Sequence, residues 1–596
     1  MRLNCWKNIW NRSKGAWFLN SKKYKDVLYK MRYINDLRDM IHSSAELYGE
    51  DPAFLVKDVP GGKYRPVSYN QLKEDIDALG TKFVEMGLKD KKVAIIGENS
   101  YEWVVTYLAV TNGTGVVVPL DKDLTEVEIG NLIGRSGIEA IVFSGKMREK
   151  TMAALEGFDD IRIRININAV SGEDGDISWK ELLSEGRQLL ENGNRDFADA
   201  VIDREAMCSL LFTSGTTGMA KGVMLSHKNI SANVYNMSKY VKIRRPGGGL
   251  SVLPMHHTYE LTCHVFTGLY QGIFIAICEG LRYIQQNLKE SKATVMLAVP
   301  IVFETMHKKV WKQAEASGAA GKMKTMMNLA RKTKLYNKQD VMRRMFAKIH
   351  TSLGNNVELF IAGGAAINPQ VIKDYEALGI PMIQGYGMTE NAPIIAVNRD
   401  RFSKAESVGK PMPGTEVKII NKDADGIGEI ICKGPSVMIG YYDDPKATAE
   451  VLRDGWLYTG DYGRLDEEGF LYICGRKKNV IVAKNGKNIF PEEIEYLLLE
   501  QPFIEEVVVY GALDKRNDDI VVKAEIFPNF ENIRETFGDI DEKKLQNVIK
   551  ESIEEINDKM PAYKRVKRFK LRDEEFEKTA TRKIKRTGSA VRDEDD

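Results

Sequence analysis

Short apolar segments alternate with helix-like segments in the first quarter of the chain. Three segments have the length and apolar composition of buried strands: Val93–Gly97, Gly115–Pro119 and Ala140–Phe143. A helical pattern lies between the first two of them, at Tyr101–Leu108. Because strands separated by helices form βαβ units, this alternation predicts an α/β fold with mainly parallel sheets.

The length of the chain requires more than one domain. A single hydrophobic core rarely serves more than about 250–300 residues, and this chain has 596. Closely spaced glycine turns predict a β-rich subdomain at about 410–474, and the composition changes at 475–479. We expect a basic and aromatic extension over 1–32, a large N-terminal domain of sheets flanked by helices over 33–474, and a small mobile α+β C-terminal domain over 475–596, joined through a hinge at 475–479.

The composition argues against several classes of protein. The 86 Lys and Arg residues nearly balance the 84 Asp and Glu residues, so the net charge of +2 gives no general attraction to nucleic acid. The six cysteines include no CxxC pair, which argues against a disulfide framework or a zinc site and favours a reducing compartment. No apolar run reaches the roughly 18–20 residues of a transmembrane helix, so we expect a cytoplasmic location.

Two basic segments are compatible with peripheral contact at the inner face of a membrane. Residues 1–30 mix eight Lys or Arg residues with Trp6, Trp10 and Trp17, and they lack the apolar region of a signal peptide. Residues 308–350 are also basic and have apolar residues at nearly helical spacing. A mobile extension and a solvated helical face are the alternative interpretations of these two segments.

A loop rich in Ser, Thr and Gly precedes Lys221 and Gly222. Glycines let the backbone approach a ligand closely, hydroxyl and amide groups bind phosphate oxygens, and Lys221 supplies a positive charge. The spacing excludes a Walker motif because no Ser or Thr follows the lysine. We interpret the segment as a phosphate-binding loop, with an ordinary exposed loop as the alternative. Its residues are Thr213, Ser214, Gly215, Thr216, Thr217 and Gly218.

Three side chains further along the chain are suited to a nucleotide. Tyr386 stands between two glycines and offers a ring that could stack on a base. Glu390 is suited to bind Mg²⁺ carried by the phosphates, because hard cations prefer carboxylate oxygens. Asp461 follows a glycine at a predicted strand end, where its carboxylate could hold the two hydroxyls of a ribose.

Two adjacent histidines follow a predicted strand that breaks at Pro254. His257 is a candidate polar residue of the site. Neighbouring residues of a strand point to opposite faces, and no second pair of ligands lies nearby in the sequence. We therefore do not expect His256 and His257 to bind a metal ion together.

Five blocks of sequence stand in a defined order along the chain: Thr213–Gly222, Gly385–Glu390, Tyr458–Asp461, Gly475–Glu495 and Lys578–Lys585. Together they resemble the adenylate-forming, or AMP-binding, superfamily of acyl-CoA synthetases, peptide-synthetase adenylation domains and luciferases. Leu253–Glu260 and Asn485–Glu495 are most similar to bacterial long-chain fatty acyl-CoA synthetases. The resemblance covers about residues 33–590, which is nearly the whole chain.

The resemblance implies roles around the phosphates of ATP. The loop that begins at Thr213 would hold the β- and γ-phosphates, and Thr213 and Glu390 would lie near Mg²⁺. Lys583 stands at the position of a C-terminal catalytic lysine, although Arg582 replaces the glycine that relatives usually have before it.

The resemblance also implies how the rest of the nucleotide is bound. Thr389 would reach the α-phosphate, and Asp461 and Arg476 would bind the ribose hydroxyls. Lys478 falls at the hinge position, about which the C-terminal domain would rotate before the thiol attacks. The adenine pocket would be formed by Gly364, Ala365, Gly385, Tyr386 and Gly387.

The implied activity is that of an enzyme, an AMP-forming acid–thiol ligase. A fatty acid, expected to be long-chain, would attack ATP in the presence of Mg²⁺, release pyrophosphate and form an acyl-adenylate, which then passes to the thiol of CoA. The first alternative is an acyl carrier protein as acceptor, since the cluster over Lys564–Lys570 suits either CoA phosphates or an acidic carrier. The second alternative is a non-catalytic nucleotide-binding protein.

Overall fold

The polypeptide forms two compact units in the computed structural model. The first unit contains the described residues up to Glu416 together with Lys433–Gly455. The second contains Val417–Cys432 together with the described residues from Trp456 onward. The domain limits expected from the sequence stay predictions. The residues that the structure describes are 28–169, 175–213, 220–400, 402–483, 487–514, 519–578, 584–586 and 591–592.

Strands form the framework of both units. In chain order the first are β1 (Pro52–Val56), β2 (Arg65–Ser68), β3 (Lys92–Ile96), β4 (Val116–Leu120), β5 (Ala140–Phe143), β6 (Ile163–Asn166), β7 (Ile177–Ser178), β8 (Met207–Thr213), β9 (Lys221–Ser226), β10 (Gly248–Ser251), β11 (Phe274–Ile277), β12 (Val295–Ala298), β13 (Leu359–Ala362), β14 (Met382–Gly387), β15 (Ile394–Val397) and β16 (Lys410–Pro411). They are followed by β17 (Glu416–Ile420), β18 (Gly428–Lys433), β19 (Gly440–Tyr441), β20 (Leu452–Arg453), β21 (Trp456–Leu465), β22 (Leu471–Arg476), β23 (Ile481–Val482), β24 (Asn488–Ile489), β25 (Ile504–Asp514), β26 (Asp519–Pro528), β27 (Val566–Leu571) and β28 (Val591–Arg592).

Helices connect many of these strands. The α-helices of the first unit are Leu37–Tyr48, Tyr69–Glu85, Tyr101–Ala109, Glu126–Ser136, Arg148–Ala154, Trp179–Glu191, His227–Ser238, Thr258–Glu260, Thr267–Gln271, Ile284–Ser291, Pro300–Ala316, Ala320–Thr333, Gln339–Met345, Ala347–Ser352, Pro369–Ala377 and Pro445–Val451. Those of the second unit are Pro491–Leu498, Phe530–Phe537 and Glu542–Asn557.

The predicted α/β fold with mainly parallel sheets is confirmed. One sheet of the first unit has the strand order β16-β15-β14-β13-β12-β10-β11-β1-β2, and it is parallel from β14 to β1. The other has the order β19-β9-β8-β4-β3-β5-β6-β7, and it is parallel from β8 to β7. The three strands predicted from the alternating segments lie side by side in this sheet, where β3 pairs with both β4 and β5.

Local sequence signals set the ends of several helices. Ser100 accepts a hydrogen bond from the amide of Trp103 and so caps the helix that follows β3. Thr125 and Glu128 form a capping box at the start of the helix after β4. These caps satisfy backbone amides that have no partner inside the helix, which is why the chain turns into a helix directly after each strand.

The apolar face of the basic segment 308–350 packs inside the first unit. Met323, Met327 and Met342 are at most 7% exposed and belong to a buried cluster that includes Phe360. The apolar spacing therefore reflects a helical region of the core rather than a free membrane-binding face. Lys and Arg side chains of the segment, such as Lys324, stay on the surface.

The described part of the second unit combines small sheets with helices, and one of these sheets is the pair β23-β24. β18, β21 and β22 pair in antiparallel fashion, as expected for the β-rich segment. Another sheet has the order β27-β26-β25-β28, and Ile494, Val509 and Ile549 meet in its buried core. Among the described residues of the whole chain, no helix has both the length and the apolar character needed to cross a membrane.

Candidate active site

A lysine, a tyrosine and a glutamate from distant parts of the first unit meet beside the predicted phosphate loop. The ammonium group of Lys221 lies 4.8 Å from the centre of the Tyr441 ring. The hydroxyl of Tyr441 donates a hydrogen bond of 2.8 Å to Glu390 Oε1. A cation over an aromatic ring and a hydrogen bond to a carboxylate are both favourable, so the three side chains stabilise one another.

Strand pairing positions this tyrosine. β19 pairs with β9, and Tyr441 lies opposite Val223 in that pairing. The amide of Met438 donates a hydrogen bond of 2.9 Å to the carbonyl oxygen of Glu390. Burial, together with the nearby carboxylate of Glu390, raises the pKa of the Tyr441 phenol well above its usual value, so the phenol remains a hydrogen-bond donor.

The ends of the predicted phosphate loop face each other across a hairpin. Thr213 and Lys221 are partners in the antiparallel pairing of β8 and β9. Thr213 Oγ1 donates a hydrogen bond of 3.4 Å to the carbonyl oxygen of Lys221. The five residues predicted to hold phosphate between them lie outside the described part of the chain: Ser214, Gly215, Thr216, Thr217 and Gly218.

The two glycine segments predicted to bind adenine lie at the ends of neighbouring strands. β13 and β14 are parallel, with Ala362 opposite Gln384, so Gly364 follows one strand while Gly385 lies near the end of the other. Gly364 has a φ of 82°, a conformation that favours glycine. The carboxyl ends of parallel strands are where α/β sheets bind ligands.

The remaining predicted residues of this edge are accessible to a ligand. Ala365 and Gly387 are exposed, and the side chains of Tyr386, Thr389 and Glu390 are half-buried. The structure therefore brings the adenine-pocket candidates, Thr389 and Glu390 to the carboxyl ends of β13 and β14, whereas the other metal-ligand candidate, Thr213, ends β8 in the second sheet of this unit. Their roles in binding ATP stay predictions.

The two histidines are closer together than the sequence suggested. β10 ends at Ser251, so His256 and His257 lie in the turn beyond it and not on a strand. Their ring centres are 4.1 Å apart. The expectation that the two rings point to opposite faces is therefore wrong, because the strand ends before them.

Asp121, directly after β4, completes this polar cluster. His256 Nε2 lies 3.5 Å from Asp121 Oδ2, and ligand-type atoms of Asp121, His256 and His257 all lie within 4.8 Å of one another. Burial alone would raise the pKa of Asp121, but the close approach of the His256 ring lowers it to about 2. The sequence shows no second pair of ligands near the histidines, and the structure adds one carboxylate, that of Asp121, which is distant in sequence.

The second unit pairs its two ribose candidates. Asp461 on β21 lies opposite Arg476 at the end of β22, and Arg476 Nε is 3.5 Å from Asp461 Oδ1. The amide of Asp461 donates a hydrogen bond of 3.1 Å to Thr459 Oγ1. The Asp461 side chain is 12% exposed and that of Arg476 is 53% exposed, so the carboxylate is held while the guanidinium remains accessible.

The predicted hinge lysine lies in a short 3₁₀ helix, Lys477–Asn479. Burial is the main cause that lowers the pKa of Lys478, and the positive charges of Arg476 and Arg586 lower it further. The adjacent Lys477 donates a hydrogen bond of 2.7 Å to Glu429 Oε2 and so ties this helix to β18.

The predicted catalytic lysine, Lys583, lies outside the described residues, and so does Arg582. The residues on either side are anchored, because Lys578 and Ile584 form an antiparallel bridge. The guanidinium of Arg586 forms an ion pair with Glu495 and donates a hydrogen bond of 3.2 Å to the carbonyl oxygen of Val509.

Glu495 has a perturbed acidity. Its side chain is 12% exposed, and its Oε1 accepts a hydrogen bond of 2.6 Å from the amide of Val509. Burial raises the pKa of Glu495 to about 7, although Arg586 and the Val509 amide both favour the ionised form.

Sequence reasoning did not anticipate the contacts of three residues at or near the candidate sites: Tyr441, Asp121 and Arg586. Tyr441 contacts both Lys221 and Glu390, yet its sequence context predicts only a strand. Asp121 contacts His256, and the signal available for it was an acidic residue directly after a predicted strand. The remaining contact is that of Arg586 with Glu495, which no local pattern indicates.

Comparison with known families identifies the chain. The model of the AMP-binding enzyme family matches residues 41–442, and that of the AMP-binding enzyme C-terminal domain matches residues 478–592. The first match alone covers more than half of the chain. The protein therefore belongs to the AMP-binding enzyme family, and the resemblance read from the five sequence blocks is confirmed.

Several named relatives align over most of the chain. The long-chain-fatty-acid–[acyl-carrier-protein] ligase AEE15 of Arabidopsis thaliana is 26% identical over 89% of this chain and 82% of its own length. Fatty acyl-CoA synthetase B of Dictyostelium discoideum is 29% identical over 87% and 80%, respectively. A long-chain-fatty-acid–CoA ligase of Escherichia coli is 28% identical over 80% and 82%.

Solved structures show the same fold. The anthranilate CoA ligase AuaEII, in complex with anthranoyl-AMP, aligns with a TM-score of 0.72 and 19% identity over 95% of this chain and 97% of its own. The o-succinylbenzoate CoA synthetase of Bacillus subtilis, in complex with its acyl-adenylate, aligns with a TM-score of 0.69 and 23% identity over 92% and 96%.

Proposed function

We propose that this protein is a ligase that activates a fatty acid, in our expectation a long-chain one, with ATP and transfers it to CoA. The observation that carries the proposal is the contact of Tyr441 with both Lys221 and Glu390, because it holds a cation and a carboxylate beside the phosphate loop. Membership of the AMP-binding enzyme family and relatives named as long-chain fatty acid ligases support it.

The proposed chemistry places particular demands on the first unit. The acid attacks the α-phosphate of ATP, and pyrophosphate leaves while charge develops on the phosphoryl oxygens. Thr213 and Lys221 would hold the departing phosphates, and Thr389 would hold the α-phosphate. Glu390, with a carboxylate oxygen fixed by Tyr441, suits Mg²⁺ together with Thr213. Bound Mg²⁺ would neutralise phosphate charge during the transfer.

The nucleoside of ATP has its own candidate residues. Tyr386 offers its ring to the adenine, with Gly364 and Gly385 allowing the base to approach the backbone. Asp461 and Arg476 would bind the ribose hydroxyls, where a carboxylate accepts two hydrogen bonds and the accessible guanidinium donates one. His257, beside His256 and Asp121, would line the site as a polar residue.

Lys583 would stabilise charge on the α-phosphate during acyl-adenylate formation. We expect Lys583→Ala to slow acid-dependent pyrophosphate exchange by about 10²–10³-fold, since removal of one preorganised donor has that effect. Thioester formation from supplied acyl-adenylate should be spared. Lys585→Ala is the matched control, because Lys585 is half exposed and pairs only loosely with Glu577. Equal loss in both half-reactions would overturn the role of Lys583.

The acid is identified by a panel of straight-chain acids from acetate to oleate, scored by ATP-dependent pyrophosphate release. Release that peaks with the long-chain acids supports the proposal. If no acid elicits pyrophosphate or AMP, the chain is a nucleotide-binding protein without this activity.

An acyl carrier protein is a second candidate for the acceptor. One relative is named a ligase that uses this carrier, and basic side chains of β27, among them Lys567 and Lys570, are exposed and suit an acidic surface. One labelled acid offered with CoA and with carrier protein in parallel reactions separates the two acceptors.

A peripheral membrane contact is a further part of the proposal. It rests on the basic, tryptophan-containing sequence of residues 1–30, because Met323, Met327, Met342 and Phe346 of the segment 308–350 are buried in the core. A chain that starts at residue 28 should bind anionic vesicles more weakly than the full chain. Unchanged vesicle binding would remove this part and leave the ligase proposal intact.

A further inference from the structure

A small apolar cavity in the first unit adjoins the predicted adenine-binding edge. Its volume is about 20 Å³, and its lining includes Ala362 and Gly385 together with Ile243 and Gln271. A cavity of that size holds little more than a water molecule, whereas ligand sites usually have about 300–1,000 Å³. An acyl chain that binds here must therefore displace side chains, and Met237 in the lining is a flexible candidate.

A second, larger space begins where this cavity ends. An open groove of about 630 Å³ has Ile243 and Gln271 in its lining as well. These two residues therefore separate the cavity from the groove. The carboxamide oxygen of Gln271 accepts a hydrogen bond of 2.7 Å from the amide of Ile243, and its nitrogen donates one of 3.0 Å to the carbonyl oxygen of Val241.

Of the two residues that form this partition between cavity and groove, Gln271 is held in place and Ile243 can move. Gln271 is 6% exposed and tied by hydrogen bonds that would be costly to leave unmade. The side chain of Ile243 is apolar and 8% exposed, so its displacement breaks no hydrogen bond. A methylene chain that extends past Ile243 leaves the apolar cavity and enters the groove.

The lining of the cavity is uncharged, whereas the groove is lined by five Lys and Arg side chains. Three of its five cations are already engaged: Arg32 donates a hydrogen bond of 2.7 Å to the carbonyl oxygen of Tyr270, Arg244 lies 3.7 Å from Glu358, and Arg245 pairs with Asp51 at 2.5 Å. The other two cations are Lys30 and Lys242.

Both of these lysines are exposed, and the described part of the chain gives neither of them an ion pair with a carboxylate. The ammonium of Lys242 lies 5.8 Å from the centre of the Tyr29 ring. The nearby carboxylate of Asp400 accepts hydrogen bonds from the Tyr29 hydroxyl and from the Lys242 amide, so it is engaged by groups other than the ammonium. Two ammonium groups without a carboxylate partner among the described residues, at the end of an apolar path, suit an anion.

We propose that the groove binds an anionic group at the far end of the acyl substrate, so that the protein accepts long-chain α,ω-dicarboxylic acids. The inference rests on the proposed function, because it takes the carboxylate at the adenylate end as the one that reacts. The methylene chain would occupy the widened cavity and pass Ile243, and the second carboxylate would lie against Lys30 and Lys242. A monocarboxylic acid would place a methyl group there, next to charges it cannot neutralise.

The charge of the distal end provides the test. Hexadecanoate, hexadecanedioate and 16-aminohexadecanoate are compared by kcat/KM for pyrophosphate release in the wild type and in Lys30→Glu/Lys242→Glu. Two exposed ion pairs are each worth up to about 1 kcal/mol, so the ratio of diacid to monoacid should fall about tenfold. The ratio of kcat/KM for 16-aminohexadecanoate over that for hexadecanedioate should rise by a larger factor, since the introduced carboxylates attract the distal ammonium and repel the distal carboxylate. Lys146→Glu/Lys180→Glu reverses two exposed lysines elsewhere in the same unit and should keep both ratios.

The partition is tested with diacids of different length. Ile243→Trp fills the passage, so the ratio of kcat/KM for hexadecanedioate over octanedioate should fall at least fivefold, whereas Ile243→Ala should raise it. If this ratio is unchanged in both variants, the acyl chain does not pass Ile243 and the proposal is overturned.

Other results would also overturn it. If the lysine reversal lowers kcat/KM for monoacid and diacid by the same factor, the groove captures the reacting carboxylate on entry and is not a distal site. If no acid elicits pyrophosphate release, the proposed function fails, and calorimetric binding of hexadecanedioate then decides the groove by itself. Binding that weakens about tenfold in the lysine reversal but not in the control would support the anion site, and equal binding in all three proteins would reject it.

Discussion

The two units hold their nucleotide candidates in different ways. In the first unit, Lys221, Tyr441 and Glu390 come from three distant parts of the sequence and meet through strand pairing. In the second, Asp461 and Arg476 are partners on adjacent strands of one hairpin. The first arrangement depends on the whole sheet being formed, whereas the second is nearly local.

The contacts also differ in strength. The phenol of Tyr441 donates a hydrogen bond of 2.8 Å to the carboxylate of Glu390, and hydrogen bonds to charged groups contribute about 1.5–3 kcal/mol. Arg476 is half exposed and 3.5 Å from Asp461, and exposed ion pairs contribute about 0–1 kcal/mol. The first group is therefore preorganised before a ligand arrives, whereas the guanidinium of the second can rearrange around a ligand.

The largest effect is expected at Glu390. Glu390→Gln keeps the shape of the side chain and removes the charge that suits Mg²⁺. We expect kcat for acid-dependent pyrophosphate release to fall by about 10²–10³-fold, the usual cost of one preorganised electrostatic contact. The matched control is Glu156→Gln, an exposed glutamate of the same unit. A decrease of less than about threefold, within the range of a weak surface contact, would contradict the assignment.

A smaller effect is expected in the second unit. Asp461→Asn removes a charged acceptor for the ribose hydroxyls, so kcat/KM for ATP should fall about thirtyfold, equivalent to about 2 kcal/mol. The same reasoning predicts that the variant distinguishes ATP from 2′-deoxy-ATP and 3′-deoxy-ATP less well than the wild type does. Steady-state kinetics with the three nucleotides measures both effects.

The control for this variant is Asp425→Asn, which changes an exposed aspartate in a turn of the same unit. It should keep the preference for ATP over the deoxy nucleotides. Undiminished discrimination in Asp461→Asn would show that the ribose lies elsewhere.

Tyr441 separates preorganisation from ligand binding. Tyr441→Phe keeps the ring beneath Lys221 and removes only the hydroxyl that fixes Glu390, so we expect kcat to fall about fivefold to tenfold. In a Glu390→Gln background the same change should have little further effect, since the two residues act through one contact. If the decreases in kcat of the two single variants multiply in the double variant, Tyr441 does not act through Glu390.

The fold was more predictable from sequence than the site. β5 coincides with the predicted strand Ala140–Phe143. Asp461 was singled out by the preceding glycine and an expected strand end, although it lies inside β21 and not at its end. The position of Tyr441 could not be predicted, because its role depends on the pairing of β9 with β19, which are more than 200 residues apart in sequence. The relative orientation of the two histidine rings was misjudged because β10 ends before them, and the approach of Asp121 is a tertiary contact that the sequence does not show.

The second unit also contains a preorganised carboxylate, which makes the contrast between the units incomplete. Glu495 forms an ion pair with Arg586, three residues beyond Lys583, and accepts a hydrogen bond from the Val509 amide. Its pKa of about 7 is above its ordinary value of 4.5 because burial disfavours the charge. Unlike Glu390, it would hold a chain segment in place and would not contact ATP.

The last expected effect concerns local stability and not activity: a pH dependence at Glu495. Because the folded-state pKa is raised, the stabilising contribution is complete below about pH 4.5 and is lost as the pH rises through about 7, at roughly 1.4 kcal/mol per pH unit within that window. Hydrogen exchange of the Val509 amide, corrected for its intrinsic pH dependence, should show this loss in the wild type. Glu495→Gln does not titrate and should abolish the slope, whereas Glu493→Gln, on the same helix but 49% exposed, should retain it. Equal slopes in the wild type and Glu495→Gln would mean that Arg586 keeps Glu495 ionised throughout, and the segment after Lys583 would then be held by a permanent ion pair.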